Sequence, residues 1–164
     1  MSTLLQSFYI IRFNDCDPFG HLNNSRYIDY MLNAREDHIR NAYQIELHTS
    51  AKNGVGWVVN KHEIRYIRPA FYNEKVCIQS DVIEGGESEL ILEMIMFDEH
   101  KRNIKAVLWT NFTHINLKTG RREIHSPDFQ QLLLNVRNDK VNVNEGLDNR
   151  VKELLHMCKT EQEV

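Results

Sequence analysis

One amphipathic helical stripe stands between a first strand-like run and four later ones, and that order leaves few folds open. From Ser25 the apolar residues Tyr27, Ile28, Met31, Leu32, Ala34, Ile39 and Ala42 recur mostly at steps of three and four, which predicts a helix ending near Tyr43. Before it, residues 7–14 are rich in aromatic and β-branched side chains and read as a strand. After it, beyond a loop with Gly54 and Gly56, strand-like runs cover 57–68, 75–84, 89–98 and 103–117. The breakers Arg68-Pro69-Ala70, Gly85-Gly86, Asp98 to Asn103 and Lys118-Thr119-Gly120 set their lengths. This order predicts an α+β domain in which an antiparallel sheet wraps the apolar face of one long helix.

The tail changes character after Ser126-Pro127. Phe129, Leu132, Leu133 and Val136 have helical spacing, as do Leu147, Val151, Leu154, Leu155 and Cys158, which predicts two short helices joined by the Asn-rich piece 135–144. Residues 159–164 read as a disordered end. The chain thus divides into a main unit over 1–125 and a helical extension of the same domain over 126–164, consistent with a length of 164 residues.

Composition excludes more than it selects. A net charge of −3 argues against holding nucleic acid by phosphate neutralisation. No apolar run is long enough to span a bilayer and no signal peptide is evident, so a cytoplasmic protein is expected. Cys16, Cys77 and Cys158 have neither disulfide nor zinc-ligand spacing and read as reduced thiols.

The chemistry gathers in Asp15-Cys16-Asp17-Pro18-Phe19-Gly20-His21-Leu22-Asn23-Asn24-Ser25, between the first strand and the helix. Pro18 and Gly20 punctuate a loop, while Asn23, Asn24 and Ser25 are residue types that accept unpaired amides at a helix start. A helix start carries unpaired N–H groups and about half a positive charge, so it can polarise a carbonyl oxygen beside the loop carboxylates.

Arg12 to Asn24, with its Asp-x-Asp, Gly-His and paired Asn, resembles the signature of hotdog-fold thioesterases of the 4-hydroxybenzoyl-CoA thioesterase type, with acyl-ACP thioesterases as relatives. Tyr27, Tyr30, Ala34 and Arg35 on the helix, then Tyr66 to Ala70 and Ile115 to Arg121, extend the likeness over roughly 6–125. The exit Arg122 to Pro127 and the tail beyond about 140 depart from it. The resemblance implies a hotdog fold: a five-stranded antiparallel sheet curled around a central helix, with an added helical tail here. It implies a homodimer with sites between subunits, and leaves open a pairing of dimers into a tetramer. The implied substrate is an acyl-CoA or acyl-ACP thioester, with coenzyme A or phosphopantetheine as part of the substrate, no separate cofactor and no metal.

By the same resemblance Asp17 is the catalytic carboxylate, acting as nucleophile or as general base, and the amide at or near Asn24 is the oxyanion donor. His21 is a supporting catalytic residue, and Gly20, Asn23 and Tyr27 are expected at the substrate. Simpler roles stand beside these. Asp17 before Pro18 can start a turn; Asp15 is expected to face away into structural hydrogen bonds; the side chains of Asn23 and Asn24 read as caps and braces. A second hotdog branch uses a helix carboxylate such as Glu36 or Asp37, but Arg35-Glu36-Asp37-His38 reads more simply as a solvated helix face or a subunit-contact segment. Cys16 has no partner set for nucleophilic catalysis and reads as a small buried thiol. Lys61 and Arg65, and on the other face His62 and Arg68, are basic groups available to phosphates, though such charges are commonly solvent-facing. Two other functions fit less well: a hotdog enoyl hydratase or dehydratase, whose Asp-x-Asn-Pro-x-His loop has a shorter Pro-to-His spacing, and a noncatalytic acyl-CoA-binding sensor or scaffold.

Overall fold

Alternation and helical periodicity are both realised, and the elements they generate stack in three layers. The computed structural model describes residues 4–163. Its strands are β1 (Leu5–Ile10), β2 (Val55–Tyr66), β3 (Lys75–Gly85), β4 (Glu89–Asp98) and β5 (Ile104–Asn116). They form one antiparallel sheet in the order β1-β3-β4-β5-β2. The helices are α1 (Tyr27–Tyr43), α2 (Leu47–Lys52), α3 (Pro127–Val136) and α4 (Gly146–Gln162).

α1 buries Tyr27, Met31, Ala34 and His38, a stripe at steps of four, three and four that lies along one helix face. The stripe packs on the inner face of the sheet, where Ile78, Val82, Leu92, Met94, Ala106 and Leu108 point. Because side chains alternate along a strand, the intervening residues Cys77, Ile83, Ile95, Val107 and Trp109 face the other way. They are covered by Leu147, Val151 and Leu154 of α4. Coverage on both faces explains why β4 reads as an almost unbroken apolar run rather than as an alternating one. Each such side chain withdrawn from water contributes about 1.5–3 kcal/mol, so α4 is an integral layer of the domain.

One buried carboxylate pins that layer. Glu93, on the outer face, is 2% exposed and meets Arg150 of α4 through Nη2 at 2.8 Å and Nε at 2.9 Å. Trp109 Nε1 donates to the same carboxylate at 2.9 Å. Arg65 on β2 pairs with Asp148 nearby.

Several boundaries differ from the sequence reading. The first strand is Leu5–Ile10 rather than 7–14, because Phe13–Asp15 tighten into a 3₁₀ turn that starts the loop. The long helix starts at Tyr27, after a 3₁₀ turn over Asn24–Arg26, and neither Asn23 nor the residues after it make a side-chain cap. α2 is unannounced by any apolar stripe. The last helix is not short: it runs through Gln162, so 159–162 are helical rather than a disordered end, and Gln162 donates to Arg102 O at 2.7 Å. Val164, at the limit of that expectation, lies outside the described residues.

Candidate active site

The loop between β1 and α1 is folded around Asp17. Its peptide N–H donates to His21 O at 2.8 Å, and its carbonyl accepts from Gly20 N–H at 3.0 Å. Its Oδ1 accepts from the amides of Phe19 at 2.9 Å and His21 at 3.1 Å. That is the turn-forming role expected of Asp before Pro, yet it occupies one oxygen only; among the described residues Oδ2 has no hydrogen-bond partner. Gly20 sits at φ 77°, the left-handed region that favours glycine.

Asp17 lines an open cleft of about 320 Å³ together with His21, Asn24, Tyr27, Tyr66 and Arg68. Asn23 N–H is taken by Asp15 O at 2.9 Å and Arg26 N–H by Asn23 O at 2.8 Å, while the Asn24 amide between them has no acceptor among the described residues. Tyr66 donates its hydroxyl to Asn24 O at 2.8 Å and so ties the end of β2 to the helix start. Tyr27 is buried, accepts from Ala70 N–H at 3.0 Å and meets Tyr66 edge-on at 5.2 Å between ring centroids. The cleft therefore holds a carboxylate oxygen and an uncommitted helix-start amide, the pair an acyl transfer needs.

The other loop residues sort themselves by contact. Asp15 turns away, accepting from Tyr30 Oη at 2.7 Å with Arg26 at 3.9 Å; burial and that carboxylate push the Tyr30 hydroxyl up to about 12. The His21 ring packs edge-on against Phe71 at 5.0 Å, and its hold on Asp17 is through its backbone amide rather than its imidazole. Gly20 and Asn23 shape the loop but do not line the cleft. Burial, then the charges of Asp15 and Asp17, raise the Cys16 thiol, which keeps it protonated and a poor nucleophile. Of the basic residues, Arg68 lies past the end of β2 and lines the cleft, whereas Arg65 is engaged with α4 and Lys61 with Glu63. Tyr66 and Arg68 were readable only as a strand ending; the one signal for them was the Arg-Pro punctuation that turns the strand into the cleft.

Beneath α1 runs a polar chain that the sequence did not announce. Arg35 Nη1 donates to Ser80 Oγ at 3.1 Å, His38 bridges Ser80 at 2.7 Å and Ser7 at 2.8 Å, Ser7 Oγ donates to Tyr9 Oη at 2.9 Å, and Tyr9 donates to Asp37 at 2.6 Å. Arg35 can only donate and ionised Asp37 can only accept, so every bond in between runs one way and His38 carries its proton on Nε2. Burial, then the Arg35 charge, lowers His38 to about 4, so it is neutral at neutral pH. Asp37 is thus bound to Tyr9 and near Arg40, and Glu36 is paired with Arg40 at 2.8 Å, whereas Arg35 and His38 turn beneath the helix to Ser80 instead of forming part of a solvated face.

A separate apolar chamber of about 230 Å³ lies between α1, α3 and the inner face of the sheet, sharing no lining residue with the cleft. At one end Trp57, His114, His125 and Phe129 stack, with Trp57 Nε1 donating to His125 Nε2 at 3.1 Å and His125 Nδ1 to Gly86 O at 3.0 Å. Among the described residues no group of three His, Cys, Asp or Glu side chains is arranged to hold a metal, and no helix is long and apolar enough to cross a membrane.

Comparison with known proteins agrees with this architecture. The chain is 28% identical over 118 residues to the long-chain acyl-CoA thioesterase FadM of Escherichia coli, covering 71% of this chain and 87% of that one. The 1,4-dihydroxy-2-naphthoyl-CoA thioesterase of Synechocystis superposes with a TM-score of 0.73 at 11% identity, over 80% of this chain and 96% of the other. A probable thioesterase of E. coli, YbaW, gives 0.70 at 23% identity, over 82% and 99%. These likenesses establish the hotdog fold. The family description "Thioesterase-like superfamily" matches residues 11–143, most of the chain and the whole of the cleft, and the chain belongs to that superfamily.

Proposed function

We propose that this chain hydrolyses acyl-CoA thioesters, with Asp17 as the reacting carboxylate and the Asn24 amide as the oxyanion donor. The observation that carries the reading is their meeting in one open cleft, each with an uncommitted polar atom. The names of its relatives, long-chain acyl-CoA and dihydroxynaphthoyl-CoA thioesterases, support the substrate class.

The thioester carbonyl oxygen sits on the helix-start amide, whose hydrogen bond strengthens as charge develops; one such donor contributes on the order of 3 kcal/mol to the transition state. Asp17 Oδ2 then either removes a proton from water as it attacks the carbonyl carbon, or attacks directly to give a mixed anhydride that water opens. Both routes expel the CoA thiolate and end in free acid with Asp17 regenerated. The Asp17 Oδ1 contacts to two backbone amides hold the carboxylate in place through either route. An acyl carrier protein presents the same thioester on the same phosphopantetheine arm and is the finer alternative to CoA.

The working unit of this proposal is a homodimer joined along β2. That strand is a 12-residue sheet edge with Val58 and Val59 both about 40% exposed, a long unpaired edge that invites a partner. β1, the other edge, is short and has Lys75 over Phe8 at 5.2 Å. Trp57 at the start of β2 lines the chamber and Tyr66 at its end lines the cleft. Antiparallel pairing of two β2 strands across a two-fold axis brings one protomer's chamber to its partner's Asp17 loop.

The test is release of free thiol from a panel of aromatic and straight-chain acyl-CoAs, with the same acyl groups on carrier protein in parallel. Turnover of CoA esters supports the proposal; turnover only on carrier protein moves the substrate to that class. Hydration of an enoyl-CoA in place of thiol release would contradict it.

A further inference from the structure

The chamber's shape carries a statement about the acyl group. It crosses the inner face from Trp57 on β2 past Phe112 on β5 and Leu92 on β4 to Val82 on β3. Three inter-strand spacings make that about 14 Å. That length is the run open to a straight chain, which at roughly 1.3 Å per carbon takes about eleven carbons.

α3 lies along this bore. Its stripe Phe129, Leu132, Leu133 and Val136 lines the chamber at steps of three, one and three. Phe129 sits at the β2 end, 5.1 Å from the Trp57 ring. The residues after Val136 return to β3, where Asn138 N–H donates to Val82 O at 2.8 Å, so Val136 is at the far end. The helix is seated at close range: a Cβ on Gly85 would lie 3.2 Å from Leu133 Cβ.

We infer that α3 is the length gauge of the acyl site, that Val136 closes its far end, and that the chamber takes a straight, medium-length acyl group of about eleven carbons. The inference rests on the thioesterase reading and on entry from the β2 edge. Groups of fourteen or more carbons overrun the bore. Beside the apolar side chains, the polar groups that line it, Asn33, Arg35, Glu36 and Tyr43, all belong to α1 and so to one wall of the bore.

The experiment uses two readouts on the full chain and on Val136→Ala, Val136→Phe and Phe129→Ala. The first is thiol release from straight-chain acyl-CoAs of 4 to 16 carbons. The second is quenching of Trp57 fluorescence by free fatty acids of the same lengths, with Trp109 on the outer face as a constant background. The wild type is expected to peak at about ten to twelve carbons in both. Val136→Phe is expected to move the peak down and Val136→Ala to move it up, each by about two carbons, in proportion to the volume added or removed. Phe129→Ala, at the entrance, weakens all lengths without moving the peak. Length-dependent quenching without thiol release sustains the gauge and overturns the hydrolytic reading. Thiol release whose profile is the same in both Val136 variants, or a wild-type preference for groups of fourteen or more carbons, overturns the gauge and leaves the hydrolytic reading standing.

Discussion

At the scale of single residues, the division of labour in the loop gives sharp expectations. Asn23 has φ −56° and ψ 136°, the extended geometry that a residue before proline adopts, and Asn24 opens a 3₁₀ turn. Asn24→Pro therefore fits the backbone and deletes the amide alone, and a loss of about 10²- to 10³-fold in kcat with little change in melting temperature is expected. Asn24→Ala keeps the amide and is expected to stay within a few-fold of wild type; equal losses in the two variants would place the role in the side chain. The buried histidines set a pH response. His38 is lowered to about 4 and His125 is also lowered, so below about 6.5 the unfolded chain takes protons the folded chain refuses, and the stability they contribute is present above that pH and lost as it falls toward 4. Asp81, whose carboxyl burial raises, acts in the opposite direction. Urea midpoints at pH 7.5, 5.5 and 4.5 are expected to fall in that order, and a flat series would contradict the assignment. The Asp17 loop was legible in the sequence because turn formers and chemical groups fall within a dozen adjacent residues. The chain from Arg35 to Asp37 was not, because its members come from three elements and meet only when β1, α1 and β3 are packed.

At the scale of elements, segments with a clear apolar period between breakers, α1, α3, β4 and β5 among them, were read correctly, whereas β1, α2 and the end of α4 were not. β4 and β5 fall within a residue or two of their expected limits because each is a long apolar run between strong breakers. α2 has six residues and buries none, so no periodicity could mark it, and its existence depends on the sheet edge it packs against. α4 was underestimated at its charged end, where Gln162 is held by the backbone of the β4–β5 turn rather than by an apolar face. Its anchor is testable. Arg150→Ala leaves Glu93 buried without its cation and is expected to cost about 3–5 kcal/mol in denaturant unfolding, whereas exchanging Arg150 and Glu93 for apolar residues together is expected to cost far less. Equal losses would mean that shape, not charge, holds α4 to the sheet.

At the scale of the whole molecule, the outer face of the sheet is spent on α4 and the inner face on α1, so the β2 edge is the free surface a second copy can use. Light scattering at micromolar concentration is expected to give a dimer, and a larger assembly would mean that a further surface pairs dimers. A composite site makes a stronger prediction. Co-expression of Asp17→Asn with a chamber-blocked Leu132→Lys chain places both lesions in one site of each mixed dimer and leaves the other intact, so activity is expected to return to about a quarter of wild type. Recovery of none would confine each site to one chain. None of this arrangement was visible in composition or periodicity, since it depends on which end of β2 meets the chamber and which the cleft. The claim on which everything else depends is that the Asp17 carboxylate performs the reaction. The most direct measurement is the rate of thiol release from the best acyl-CoA of the panel in wild type and in Asp17→Asn, whose amide cannot act as a base or form the anhydride. A drop of about 10²- to 10⁴-fold with an unchanged fold is the predicted result, and turnover that survives Asp17→Asn would contradict the account.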